Sequence, residues 1–347
     1  MRKHWSRGLL LGVSMVLLLS GGVALAQKNP PLKLSATYET HDVGTINVDI
    51  DDDGGHSGQY AVDWPCPGGC DSHTNLANLL LGNSGTALAD GNWDVDFATT
   101  SGGGITITEP GAISDQDGYA QYDDQDLLGL EITQYSCAWE GEDFILVAYE
   151  IRNVSGATLS GLYAGHYADL DIAVIVPTKY DDRADYDSGR AMGYGLDTVA
   201  GTHVGLRYLL GDVSSYRNGP YDTYMSDSDA YAALSSGMFD GAYPSPPSEG
   251  DIEFVMGAGP FNLAAGEVYK LGTAWVAGSN LADLQANSDQ ALARWLASDG
   301  CGIGLPEGPE EEVVEEFVPE PGTVLLLGSG LMGLAGYAGL RWRSREK

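Results

Sequence analysis

Asp49-Ile50-Asp51-Asp52-Asp53-Gly54 places three carboxylates at alternate positions ahead of a glycine, the spacing with which a calcium-binding loop begins. Calcium takes about six to eight oxygens, so Asp49, Asp51 and Asp53 start a site that other groups must finish. Where a contiguous calcium loop would end on a bidentate Glu, this chain has Tyr60. A noncontiguous site completed by Asp63 or a distant carboxylate is therefore the form expected, and an acidic hairpin turn is the alternative.

Asp169 and Asp171 sit between apolar residues, where a carboxylate is costly unless it is paired or metal-bound. As alternate residues of a strand they share a face, which makes them the second calcium candidate; an ion pair with Arg183 or Arg190 is the structural alternative. Two further acidic stretches read as solvated turns: Asp115-Gln116-Asp117-Gly118 with Asp123, Asp124 and Asp126, and the loop Tyr180 to Gly189 with Asp181, Asp182, Asp185 and Asp187.

Catalytic patterns are missing. The chain has no G-x-S-x-G elbow, no H-E-x-x-H and no phosphate-binding loop. His41, His56, His73, His166 and His203 are scattered singly, as packed or surface histidines are. Glu131, Glu150 and Asp169 offer the two carboxylates that glycoside hydrolysis needs, but a chain this acidic brings carboxylates together by chance. Tyr216, Tyr221, Tyr224, Tyr231 and Tyr243 are concentrated in one polar section, where their rings would suit a sugar face or would pack the section down.

The four cysteines, Cys66, Cys70, Cys137 and Cys301, are an even number in a chain whose start reads as a secretory signal, and disulfides are expected. Four cysteines allow three pairings. The preferred one closes the Pro/Gly turn with Cys66-Cys70 and ties the end of the domain to its middle with Cys137-Cys301. Zinc is the competing use, poorly served by C-x3-C with only His73 nearby.

These residues need a scaffold, and the hydropathy pattern predicts one of strands. Apolar and polar residues alternate over Val43 to Ile50, Gly103 to Thr108 and Gly129 to Tyr135. Asp143 to Arg152 is apolar on both faces and suits a central strand. Gly161 to Val176, His203 to Leu210, Asp251 to Met256 and Glu267 to Ala277 complete the set. Asp212 to Glu249 is rich in Ser, Asp, Tyr and Pro and reads as a long surface excursion. One helix closes the domain, N-capped by Asn280, with Leu281, Leu284, Ala291, Leu292 and Trp295 near one face. The fold class expected is all-β, a large β-sandwich with long loops and one C-terminal amphipathic helix.

The two ends are addresses. Residues 1–26 carry Arg2, Lys3 and Arg7, an apolar run and Ala24-Leu25-Ala26, the pattern of a secretory signal cut by signal peptidase. At the other end Pro319-Glu320-Pro321 precedes an apolar run, residues 323–340, and a basic tail, residues 341–347. As a helix the run is about 27 Å long, close to a bilayer's hydrocarbon core, with its basic end on the cytoplasmic side.

This tail, residues 318–347, resembles a PEP-CTERM sorting signal; Trp342 and Ser344 interrupt its arginines without altering the orientation rule. The resemblance implies recognition and cleavage by an exosortase, a membrane-embedded enzyme of Gram-negative bacteria that make exopolysaccharide. It also implies transient anchoring in the inner membrane, then the cell surface or extracellular matrix. An ordinary single-span anchor is the competing reading. Asp169 to Ile172, Gly259 to Glu267 and Gly278 to Leu284 resemble segments of large β-rich domains in secreted bacterial proteins, without settled activity, which supports one continuous domain from about residue 36 to 300 within the secreted β-sandwich part, 27–302. Residues 303–317, rich in Glu, read as a disordered spacer.

Seven of the 17 basic and two of the 49 acidic residues lie in these ends, so the part between carries 10 minus 47, or −37. Such a surface repels nucleic acid and attracts divalent cations or basic partners; solubility alone is the plainer explanation. The function expected is a noncatalytic structural or exopolysaccharide-binding module whose loops calcium stiffens. A secreted hydrolase acting on matrix glycans is the alternative, and a purely structural surface-layer component a third.

Overall fold

The structure, a computed structural model, describes residues 37–56, 61–65, 72–91, 96–100, 104–173, 180–220, 225–246 and 248–305. The expected signal peptide, the Cys66-Cys70 bridge, Tyr221, Tyr224, nearly all of the spacer and the whole tail with Pro319, Glu320 and Pro321 lie outside these residues. Among the described residues no helix is long and apolar enough to cross a membrane.

The chain forms β1 (Tyr38–His41), β2 (Val48–Asp51), β3 (Gly55–His56), β4 (Thr74–Ser84), β5 (Ala87–Asp90), β6 (Ala98–Thr99) and β7 (Thr106–Thr108). There follow β8 (Gln116–Asp123), β9 (Leu130–Ala138), β10 (Phe144–Asn153), β11 (Leu159–Leu170), β12 (Asp182–Asp187) and β13 (Met192–Asp197). The last elements are β14 (His203–Leu210), β15 (Val213–Pro220), α1 (Asp227–Leu234), β16 (Ile252–Leu263), β17 (Val268–Gly278) and α2 (Leu281–Ala297).

The strands build a nine-stranded sheet in the order β12-β13-β14-β17-β10-β9-β8-β6 with β7 on β8, and a six-stranded sheet in the order β15-β16-β11-β4-β3 with β5 on β4. β1 and β2 form a hairpin of their own. The two open sheets share one apolar core, to which β10 gives Ile145, Val147, Tyr149 and Ile151 and β16 gives Ile252, Phe254 and Met256. The alternate residues of β10, Phe144, Leu146 and Ala148, face a second cluster built with Leu284, Ala291 and Trp295 of α2. The run that is apolar on both faces is thus a central strand with α2 on one side and the other sheet on the other.

Asn280 caps α2 as expected, its side chain accepting from the Asp283 N–H at 3.1 Å. Leu281 is exposed and Leu292 only half-buried, so three of the five expected contacts are buried. Trp295 lies so close to β17 that a Cβ on Gly272 would sit 2.2 Å from its ring, a contact only glycine permits. Cys137 of β9 and Cys301 beyond α2 form the expected disulfide, with Cα atoms 6.1 Å apart. Ile303, expected in the spacer, packs into the same cluster, so the folded part runs through Leu305.

Two sections depart from the loops expected. Asp212 to Glu249 supplies β15, an edge strand of the six-stranded sheet, and α1, capped by Ser226. Its Ser-rich polarity hid the strand because the apolar partner surface comes from β16, which is distant in sequence. Asp181 to Asp187 is likewise β12 with the residue before it, paired with β13.

Candidate metal centre

β11 runs in the middle of the six-stranded sheet and carries Asp169 next to its last residue, paired with Leu76 of β4 and Glu253 of β16. That position buries the carboxylate to 1% exposure. Its Oδ2 accepts from Asn75 Nδ2 at 2.8 Å, and its Oδ1 has no hydrogen-bond partner. Asp171 follows the strand end, and Asp251 stands just before β16. One carboxylate oxygen from each of Asp169, Asp171 and Asp251 lies within 4.8 Å of the other two. Oxygens bound to one calcium at about 2.4 Å cannot be further apart than about twice that distance, so the trio is compact enough to share an ion.

A second trio forms beside it. Asp182 opens β12 and pairs in register with Asp197, the last residue of β13, and Asp181 precedes it. All three are buried, with one oxygen from each within 4.8 Å of the others. Asp197 also holds its own turn, Oδ1 accepting from the N–H groups of Val199 at 2.6 Å and Ala200 at 2.5 Å. The backbone joins the trios: the Ile172 N–H donates to Asp182 Oδ2 at 3.0 Å, and the Gly250 N–H, one residue before Asp251, donates to the Asp182 carbonyl at 3.1 Å.

Gathering these groups has an electrostatic cost. Burial pushes Asp182 up to about 9; the Ile172 bond opposes this, and Asp197, Asp181 and Asp171 add to it. Burial likewise raises Asp169 to about 7 against the Asn75 bond, with Asp171, Asp251 and Glu253 as like charges. Two ionised carboxylates about 4 Å apart repel by about 4 kcal/mol at an effective dielectric constant of about 20. A hard divalent cation would remove that repulsion and give a partner to Asp169 Oδ1, Asp181 Oδ1 and Asp182 Oδ1. The donors are all carboxylate oxygen, which suits calcium better than zinc or copper.

The first expected loop goes another way. Asp49 lies buried in β2 and accepts from Thr40 Oγ1 at 2.6 Å across the β1–β2 hairpin. Asp51 and Asp53 are buried near Tyr122. Asp49, Asp51 and Asp53 do not converge, and among the described residues the converging carboxylate trios are the two above. Only Asp49 and Asp51 lie in β2, with Asp53 in the turn after it, and pairing in the hairpin gives Asp49 its own partner in Thr40. The third acidic stretch does contribute Asp181 and Asp182. The other acidic turn is structural: Asp117 accepts from Ala112, Ile113 and Ser114, and Asp124 from Leu128, Gly129 and Leu130. Asp197 and Asp251 were not singled out in the sequence, and no spacing could have found them, because sheet pairing alone brings them in.

The five histidines among the described residues are buried and held by neighbours. His166 lies between Tyr208 and Tyr149 in the core, and His73 Nε2 bonds the Trp64 carbonyl while its Nδ1 accepts from the Ala173 N–H. Burial lowers all five, to about 4 for His41 and His56 and about 3 for His166. Glu131 and Glu150 belong to β9 and β10, in the sheet opposite Asp169. Tyr216, a candidate for sugar stacking, is fully buried against Tyr186 and Phe254. Arg190 pairs with Asp187 and Asp289, and Arg183 bonds Glu249 and the Ser248 carbonyl.

Residues 317–345 match the PEP-CTERM protein-sorting motif. No curated protein sequence matches the chain. Among solved structures, a bacterial glucoamylase complexed with acarbose is similar over 78% of this chain and 39% of that one, at 9% identity and a TM-score of 0.53. An α-galactosidase of family GH36 from Geobacillus stearothermophilus aligns over 72% and 42%, at 10% identity and a TM-score of 0.41. The chain spans less than half the length of either. The first likeness is one of fold, shared by a β-rich body. The sorting motif marks an exported, membrane-transiting protein that an exosortase processes.

Proposed function

We propose that this is a noncatalytic cell-surface or extracellular-matrix protein of a Gram-negative bacterium, exported behind residues 1–26 and anchored by residues 323–340 until an exosortase cuts near Pro319-Glu320-Pro321. Its globular part is a β-sandwich module stiffened by calcium at Asp169, Asp171 and Asp251. The observation that carries the calcium assignment is the convergence of these three carboxylates, one from a strand end, one from the turn after it and one from the start of a third segment. A cation there ties β11 to β16 and removes the repulsion among groups that folding forces together.

Exopolysaccharide is the partner that the address suggests. A groove of about 680 Å³ between Leu210–Ser214, Gly259–Phe261 and Val268–Lys270 supports that choice, because Phe261 and Tyr269 stack at its wall, 3.8 Å apart and nearly parallel, beside Asp212 and Lys270. An aromatic wall flanked by polar groups suits a sugar face. The glucoamylase likeness lends its fold to this reading and no substrate.

The test is calorimetric titration of calcium into the chelator-treated full chain in detergent, paired with thermal melts. Saturable binding that raises the melting temperature, both weakened by Asp251→Asn, is expected. No heat and no shift in the melt would remove calcium from the reading. Processing is checked separately by expression with and without an exosortase, where Pro319→Ala with Glu320→Ala should leave the uncut form.

A further inference from the structure

We infer that Asp181, Asp182 and Asp197 form a second calcium site, distinct from Asp169, Asp171 and Asp251 and adjoining it. Acidity alone would not justify this, since exposed carboxylates gather without ions. The decisive feature is Asp182: its side chain is wholly buried, Oδ2 is engaged by the Ile172 N–H, Oδ1 has no partner, and one of its carboxylate oxygens lies within 4.8 Å of one from each of Asp181 and Asp197. Asp181, 9% exposed, likewise has an Oδ1 without a partner. Among the described residues no Lys or Arg forms an ion pair with these three. A buried carboxylate with an unpaired oxygen is costly, and three together are costlier, so the site has the form of one completed by a cation.

Carboxylate oxygens without a nitrogen or sulfur donor select a hard ion. Calcium loses its water more readily than magnesium and tolerates irregular geometry, which suits a buried trio partly committed to backbone bonds. The ion would lock β12, the edge strand of the nine-stranded sheet, and β13 to the turn after β11 and to the start of β16, holding the two sheets together at this end. The second site does not depend on the first trio binding calcium.

The experiment measures calcium bound per chain by equilibrium dialysis of the full chain in detergent, comparing wild type, Asp182→Asn, Asp181→Asn and Asp251→Asn. Asparagine keeps an oxygen for the Ile172 N–H, and circular dichroism verifies folding. Two ions in wild type and one in each single variant are expected. Wild-type stoichiometry in both Asp182→Asn and Asp181→Asn overturns the second site, as does a single wild-type ion lost only in Asp251→Asn, which would leave the proton as the trio's sole ligand. One ion lost in Asp182→Asn and none in Asp251→Asn would overturn the first site and keep the second. Should Asp182→Asn fail to fold, Asp181→Asn decides.

Discussion

The Ile172 N–H donates to Asp182 Oδ2 at 3.0 Å, joining the turn after β11, in one sheet, to the first residue of β12, in the other. It commits one oxygen of a buried carboxylate to structure and leaves the other without a partner, in a side chain that meets Asp181 and Asp197. Asp182→Ala removes the acceptor and should be about 1–3 kcal/mol less stable than Asp182→Asn, which keeps it, whether or not calcium is present. With chelator at pH 7 Asp182→Asn should be more stable than wild type, because wild type must take up a proton at Asp182 to fold. In calcium the same variant should lose the ion's contribution, about 2.7 kcal/mol at a hundredfold excess over Kd. Urea melts of both variants with and without calcium check this; equal losses for Asn in both conditions would contradict it.

The pH dependence of the chelated protein follows from two opposed sets of groups. Asp169 and Asp182 bind protons more tightly folded than unfolded, so their contribution falls as pH rises from about 4 to their folded values, about 7 and about 9; Asp124 and Asp181 are also raised. The five histidines are lowered from 6.5, so their contribution grows with pH and is complete near 6.5. Stability should therefore peak near pH 6.5 to 7 and decline to about pH 9, over which range folding must take up a proton at Asp182. Saturating calcium should flatten the decline. Denaturant midpoints at half-unit steps test both halves, and a calcium-insensitive alkaline limb would argue against ions at the trios.

His166 is neutral and its tautomer is set by its neighbours. Tyr208 Oη donates to the Met256 carbonyl at 3.1 Å and so accepts from His166 Nδ1, leaving Nε2 to accept from Tyr149 Oη at 3.3 Å. Tyr149→Phe strands Nε2 in the core and should destabilise by about 1–3 kcal/mol without altering calcium binding. Urea denaturation with calcium titration separates the two; an unchanged midpoint would show that the bond contributes little.

The Cys137–Cys301 bridge closes a loop across a sequence separation of 164 residues and pins α2 beside β9 and β10. Cys137→Ala with Cys301→Ala should cost about 2–5 kcal/mol, and reduction of wild type should match it. A second probe of the same docking is Gly272→Ala, whose Cβ would enter the Trp295 ring. It should cost about 1–3 kcal/mol, and much less in a Trp295→Leu background, where the double-mutant cycle reports coupling.

Features that depend on residues near one another in the chain are legible without the fold. The sorting tail is a contiguous string, matched at 317–345. β10 and β17 announced themselves by apolar runs, and α2 by its cap and spacing, because period and capping are local. The Cys137–Cys301 pairing was reached as a preference among three, and the fold carried it out. Where carboxylates meet depends instead on how distant strands pair. Asp49, Asp51 and Asp53 had the better spacing, yet the β1–β2 hairpin drew Asp49 to Thr40. Asp169 and Asp171 gained Asp251 through the pairing of β11 with β16, and Asp182 met Asp197 through the pairing of β12 with β13. β15 and α1 were hidden for the same reason, since the surfaces that make them stable belong to distant segments. Local pattern specifies an element, whereas a site assembled across strands depends on register, which pairing and packing set together.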